Sequence, residues 1–321
     1  MKMIMLNLAR LFALMAFGES EALTQRYANA TPVQTQIEVF DERLVELLPR
    51  DSVAVRLATN FVFTEGPVWH RDGYLLFSDI PADTIYKWTP DGKVEVFRKP
   101  SGQSNGLTFD SEWRLIACEH RTRRVTRTEK DGTITVLAER YEGKRLNSPN
   151  DVVIWLDGSI YFTDPPYGVK PQERELDFQG LYRVSPDGKL TLLAKDFDRP
   201  NGLAFSPDGK RLYVDDSARG HLRVFTVNED GSLSGGEVLA ELKSEEPGAP
   251  DGMKVDVKGN LYVTGPGGLW IFDGNGKLLG KVKLPEIPAN CAFGDSDKRT
   301  LFLTARTSLY AIRLNVSGIA P

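Results

Sequence analysis

Cysteine is scarce. Two residues in 321, Cys118 and Cys291, exclude a disulfide framework and a cysteine-based zinc site, and leave room for one bridge at most. There are three histidines: His70, His120 and His221. Positive charge is not in excess. Forty Lys and Arg against 44 Asp and Glu give a net charge of −4, so bulk electrostatics favours no nucleic-acid partner. Long apolar runs are missing too. The run from Leu11 to Gly18 is too short to span a bilayer, and no other stretch approaches that length. No long segment of 3.6-residue period follows residue 50. What remains is ordinary for a globular chain with a sizeable core, 41% apolar and 26% charged, with 29 Gly and 19 Pro to supply tight turns. By length alone the chain would hold two domains, but all-β folds of this size often form one.

The N-terminus reads as a leader over residues 1–34, ahead of a folded domain over 35–321. Lys2 and Arg10 precede the apolar run, and Ser20-Glu21-Ala22 follows it. That order fits either a secretory signal, which would make the protein periplasmic or secreted, or a disordered leader on a cytoplasmic one.

A repeat organises the rest. "RPNGLAFSPDG" (199–209) has a near twin in "SPNDVVIWLDG" (148–158), and six such segments occur. They begin at Glu65, Asn105, Asn150, Asn201, Asp251 and Asn290, with steps of 40, 45, 51, 50 and 39 residues. Each reads as strand, Asp/Gly turn, strand, and most continue with a third and fourth strand, short, β-branched and aromatic. Four strands per 40–50 residues is the blade of a β-propeller, and six units predict a six-bladed ring of four-stranded antiparallel blades. The last unit ends after three strands, near Leu314. An N-terminal strand is expected to close the ring, either "TQIEVF" (35–40) or "SVAVRLA" (52–58), removing the exposed edges.

Asn is a poor strand former, so six polar residues at strand starts require a reason. First strands line the central channel of a propeller, which puts all six anchors at one mouth. Second strands return to that mouth and end in Asp79, Glu119, Asp164 and Asp216, with Gly265 and Ala305 in the last two units. These ends have two readings: more oxygens for the channel, or acids bonding local backbone. Converging buried carboxylates at the anchors must be neutralised or paired with a cation. No Lys or Arg occupies the anchor register. Oxygen donors without Cys or His favour a hard cation, Ca²⁺ before Mg²⁺ or Mn²⁺, with zinc a substitute.

With these motifs in hand, the sequence resembles the gluconolactonase, or SMP-30/regucalcin-like, family. The matching stretches are "EGPVW" (65–69), "LLFSDI" (75–80), "SPNDVV" (148–153), "IYFTDPPYG" (160–168), "RPNGLAFSPDG" (199–209) and "APDGMKVD" (249–256). The resemblance covers about residues 50–315 and implies a metal site of Glu65, Asn150, Asn201 and Asp251, with Asn105 and Asn290 as channel neighbours. It implies hydrolysis of sugar lactones, with organophosphate esterases as a related branch. One departure bears on substrate. Regucalcin-like members carry a substrate-contacting Arg two residues before the middle Asn ligand, where this chain has Ser148, and its pattern is closer to bacterial gluconolactonases.

The chemistry expected of such a site is ester hydrolysis, with Asp251 as general base or nucleophile. Asp151 would orient Asn150, His120 would donate to substrate or leaving group or make a loop bond, and Tyr167 would line the entrance. The rival readings are a phosphotriesterase with the same metal and a non-catalytic propeller with a structural metal. The expected partner is a small lactone, for a monomer or small homo-oligomer, with no nucleic acid and no membrane. "GQSNG" (102–106) matches the serine-hydrolase elbow, but no helix follows, so Ser104 reads as a loop residue. "HRTRRVTR" (120–127) reads as a solvated strand face, and "GPGG" (265–268) as a turn.

Overall fold

The computed structural model describes residues 23–319. Among the described residues six antiparallel sheets of four or five strands stand around one axis, with a two-stranded ribbon, Arg140–Tyr141 and Lys144–Arg145, between the second and third. Blade 1 is Thr64–His70, Tyr74–Asp79, Thr84–Trp88 and Val94–Arg98. Blade 2 is Ser104–Phe109, Leu115–Glu119, Arg124–Thr128 and Ile134–Ala138. Blade 3 is Val152–Ile154, Ile160–Asp164, Gly180–Val184 and Leu190–Ala194, and blade 4 is Pro200–Phe205, Arg211–Asp216, His221–Val227 and Leu233–Glu241. Blade 5 holds Met253–Val255, Leu261–Gly265, Gly268–Phe272 and Leu278–Lys283. Blade 6 holds Asn290–Gly294, Thr300–Ala305 and Ser308–Arg313. This is the six-bladed propeller that the repeat predicts.

Val55–Thr59 supplies the fourth strand of blade 6, pairing Ser308 with Thr59 and Ala311 with Val55. "SVAVRLA" is therefore the closing strand. It leads into blade 1 over only four residues, so the connection is short in space as well as in sequence. "TQIEVF" has another role: Gln36–Val39 pairs with Leu278–Lys283 and covers the edge of blade 5. Residues 23–34, read as part of the leader, pack on the body. Thr31–Pro32 adds a fifth strand to blade 6, and buried Tyr27 bonds Asp295 Oδ2 at 2.5 Å.

Burial follows distance from the axis. The first two strands of blade 1 are buried except for Tyr74 at one end, whereas the outer strands of blades 1 and 2 are largely exposed. The core lies between blades, where aromatic side chains interlock, as in the stacked Trp69–Phe302 pair across the blade 1/blade 6 seam. Cys118 and Cys291 are both buried and unbridged. Among the described residues no helix is long and apolar enough to cross a membrane.

Two expectations need correction. Ser104 is the buried first residue of a strand, with Oγ 3.0 Å from Ser78 Oγ, and not a loop residue. Arg123 does not face solvent: it is buried, with Nε donating to Leu146 O at 2.7 Å and Asn147 O at 3.1 Å. Its guanidinium supplies hydrogen bonds to a loop that no strand satisfies. Arg124 and Arg127 pair with Glu119 and Glu129.

Candidate metal and active site

The six anchors meet in the bore through side-chain contacts that cross from blade to blade. Asn290 Nδ2 donates to Glu65 Oε2 at 3.0 Å. Asn105 Nδ2 donates to Asn150 Oδ1 at 2.8 Å, and Asn150 Nδ2 donates to Asn201 Oδ1 in closer contact still. Asn201 bonds Asp251, and Asp251 bonds Glu65. Glu65, Asn150, Asn201 and Asp251 therefore form a continuous string of oxygen-bearing side chains. Glu65, Asn105, Asn150, Asn201 and Asn290 are all buried, and Asp251 is half-buried.

Backbone geometry explains the motif. In four units the anchor is followed by glycine. A Cβ at Gly202 would lie 2.1 Å from Asp251 O, and one at Gly252 would lie 2.0 Å from the Asn290 side chain. The first strands are drawn so close that only glycine fits behind the anchor. A hydrogen bond to the neighbouring strand accompanies three of the four: Gly202 N donates to Asp251 O at 3.1 Å, Gly106 N to Asn150 O at 2.8 Å and Gly252 N to Ala289 O at 2.8 Å, whereas Gly66 N donates to Glu65 Oε2.

A second ring, not anticipated from the sequence, holds carbonyls at the anchors or one residue beside them. It is built from the residue just before each second-strand end. Ser78 Oγ donates to Asn105 O at 2.8 Å, Thr163 Oγ1 to Asn201 O at 2.8 Å and Thr264 Oγ1 to Ala289 O at 2.7 Å. Cys118 Sγ lies 3.8 Å from Asp151 O. In blade 4 this register holds Asp215, fully buried, with neither carboxyl oxygen partnered. Burial, then the charges of Asp251 and Asp151, hold its pKa well above the usual carboxylate range. The available signal was positional: an acid in a series otherwise made of Ser, Cys and Thr.

The second-strand ends take the local reading. Asp79 accepts Val62 N and Phe63 N at 2.9 and 3.1 Å, and Asp164 accepts Asn147 N and Ser148 N at 2.7 Å each. Asp216 accepts Asp198 N at 2.7 Å. Glu119 is taken up by Arg98, Arg124 and Thr126. The three aspartates clasp the loops that lead into the first strands of blades 1, 3 and 4, Glu119 ties neighbouring strands of blades 1 and 2 together, and none extends the ring of anchors.

The other predicted residues fall around the string. Asp151 is buried beneath Asn150. Its Oδ1 accepts Val152 N at 2.9 Å, while its Oδ2 has no partner. His120 Nε2 lies 3.1 Å from Asn150 Oδ1 and 3.4 Å from Asn105 Nδ2. Burial lowers its pKa to about 4, so the ring is neutral near pH 7. A neutral imidazole engaged with two amides orients Asn150 and is a weak proton donor. Tyr167 is 44% exposed, with its hydroxyl 3.5 Å from Asn201 Nδ2, at the rim of the site. Ser217, also not anticipated, holds Asn201: Asn201 Nδ2 donates to Ser217 Oγ at 3.0 Å, and Ser217 Oγ donates to Pro250 O at 2.6 Å.

The electrostatics are those of a pair of acids out of water. Burial raises both Glu65 and Asp251, and the Glu65 charge raises Asp251 further. The bonded pair holds a proton where two bare carboxylates would repel. Among the described residues no three His, Cys, Asp or Glu side chains gather as a metal cluster. The capacity to hold a cation therefore rests on two carboxylates together with amide oxygens. That donor set, with unpartnered Asp151 and Asp215 oxygens close behind it, fits a hard divalent ion.

Comparison with known proteins adds to this geometry. The family model described as "SMP-30/Gluconolactonase/LRE-like region" matches residues 63–307. The chain is 34% identical to a gluconolactonase of Zymomonas mobilis, over 98% of this chain and 96% of that one. It is 31% identical to the pentonolactonase XacC of Haloferax volcanii, over 75% and 80%. Among solved structures, the gluconolactonase XC5397 of Xanthomonas campestris superposes with a TM-score of 0.82 at 36% identity, over 90% of this chain and 98% of that one.

Proposed function

The chain belongs to the SMP-30/gluconolactonase/LRE-like family, and from that premise we propose that it is a divalent-cation-dependent lactonase acting on sugar lactones such as glucono-1,5-lactone. One observation carries the reading: Glu65, Asn150, Asn201 and Asp251, from four different blades, touch in sequence at one place in the bore. Relatives similar over most of their length are named as lactonases, which supports a hydrolase of carboxylic esters.

Those four residues would hold the cation, with Ca²⁺ favoured by an all-oxygen donor set. Bound there, it would polarise the lactone carbonyl and offset the charge that develops on its oxygen. The chain's own residues do the rest. Asp251, ionised, takes a proton from the attacking water as its oxygen bonds to the carbonyl carbon. Collapse breaks the ring C–O bond, and the proton passes to the released alkoxide, giving the hydroxy acid. Asn105 and His120 fix Asn150, Asn290 fixes Glu65, and Tyr167 forms a wall against which the substrate ring can lie.

A substrate panel tests the reading. Purified protein with added Ca²⁺ is assayed on glucono-1,5-lactone, an aromatic lactone and an organophosphate triester. Turnover of the sugar lactone is expected. Turnover of the triester alone would transfer the site to phosphotriester hydrolysis, and turnover of none would contradict catalysis.

A further inference from the structure

Beyond the ring of anchors the first strands turn apolar and enclose a cavity of about 80 Å³, walled by Trp69, Val153, Ala204, Phe205 and Phe293 among others. Two polar side chains interrupt this lining, Lys254 and Thr108. Lys254 Nζ donates to Met253 O at 2.9 Å, the carbonyl of its own neighbour. No carboxylate lies within salt-bridge distance of it among the described residues, although its charge acts on buried Asp151, and two of its three N–H donors are unused. Thr108 is buried, and its hydroxyl has no partner among the described residues. An ammonium and a hydroxyl with spare hydrogen-bonding capacity, facing an otherwise apolar enclosure, are the features of a small-molecule site.

We infer that this lower bore is a second binding site, for a small aliphatic monocarboxylate whose carboxylate pairs with Lys254 and Thr108 and whose alkyl chain fills the apolar bore. Charge sets the head group. The ammonium already offsets part of the charge of buried Asp151, so a single further negative charge is the most it can take, and a dianion would have nothing to balance it. The walls set the tail. They offer no partners for hydroxyl groups, so a sugar acid would lose its hydration without replacement. The volume holds roughly half a dozen water-sized groups. Past Ile154, Phe205 and Ile319 it adjoins a trough lined by Phe109, Trp113 and Trp155, where a longer chain would continue. The inference is independent of the lactonase reading, since it uses neither the ring of anchors nor its chemistry.

Calorimetric titration of the full chain with sodium hexanoate tests it, alongside butanoate, hexan-1-ol and gluconate, on the wild type, Lys254→Met and Val153→Phe. Thermal melts verify that each variant folds. One hexanoate per chain is expected, with affinity rising about fourfold for each methylene added from butanoate. Lys254→Met should weaken hexanoate by about tenfold or more while sparing hexanol. Val153→Phe, which fills the space without touching the charge, should weaken both. The inference is overturned by absence of saturable hexanoate binding, by equal affinity in Lys254→Met, or by competition with gluconate, which would place the ligand at the opposite mouth.

Discussion

Glu65 of blade 1 and Asp251 of blade 5 share a hydrogen bond between their carboxyl groups, across a bore in which burial holds both above the usual carboxylate range. A buried pair of acids can be neutralised by a proton or by a cation, and the two compete. Binding of Ca²⁺ is therefore expected to release about one proton near pH 7. Calorimetry in buffers of different ionisation enthalpy measures this directly. Affinity should fall as the pH is lowered, because the proton holds the pair more strongly there. Binding with no proton release at any pH would mean that the acids are already ionised and apart.

Asp251 has two duties in this account, as ligand and as base, and Asp251→Asn separates them. The amide keeps an oxygen for the cation and cannot accept a proton from water. Turnover should drop by roughly 10²- to 10⁴-fold, with much of the metal affinity retained. Glu65→Gln should instead weaken metal binding first, with activity recovered at high Ca²⁺. Full activity in Asp251→Asn would remove it as base or nucleophile.

The acids at second-strand ends should behave differently. Asp164 is fully buried and accepts two backbone amides at 2.7 Å. Asp164→Ala leaves those amides unsatisfied and should cost about 3 kcal/mol of stability. The effect should appear in denaturant melts, while the protein that remains folded keeps a near-normal Ca²⁺ affinity. Loss of Ca²⁺ binding without loss of stability would place Asp164 with the anchors.

All three histidines have pKa values lowered from the ordinary 6.5, with burial the leading cause in each. The unfolded chain therefore takes up protons on these rings before the folded one does. The sign follows from linkage: stability is at its full value above about pH 6.5 and falls as the pH drops towards the folded-state values. His70 is stacked on Tyr74 at 4.5 Å, with Phe109 and Trp113 edge-on. His70→Phe should keep that packing and flatten part of the acid-side slope in melts taken between pH 6.5 and 5. An unchanged slope would assign the acid sensitivity elsewhere.

The ring of anchors was legible in the sequence because it offends local preference: an amide or acid opens a strand six times at one register. The glycines behind the anchors were visible as a motif, but their cause, the approach of neighbouring first strands, is three-dimensional. Ser78, Thr163 and Thr264 gave no warning. A hydroxyl near a strand end is common, and only the neighbouring blade reveals which carbonyl it holds. The closing strand was ambiguous because "TQIEVF" and "SVAVRLA" both alternate suitably, and the short link from Thr59 to Thr64 decides between them. Arg123 was misread for a related reason: strand alternation gives the face of a residue but not the loop folded over that face.

Metal content and activity measured on one sample test the central claim most directly. Protein purified with Ca²⁺ is assayed on glucono-1,5-lactone, stripped with EGTA, assayed again and reloaded. The account predicts about one bound divalent ion per chain, loss of turnover on stripping and recovery on reloading, with Asn201→Ala failing to recover at the same Ca²⁺ concentration. Undiminished lactone hydrolysis by verifiably metal-free protein would contradict it.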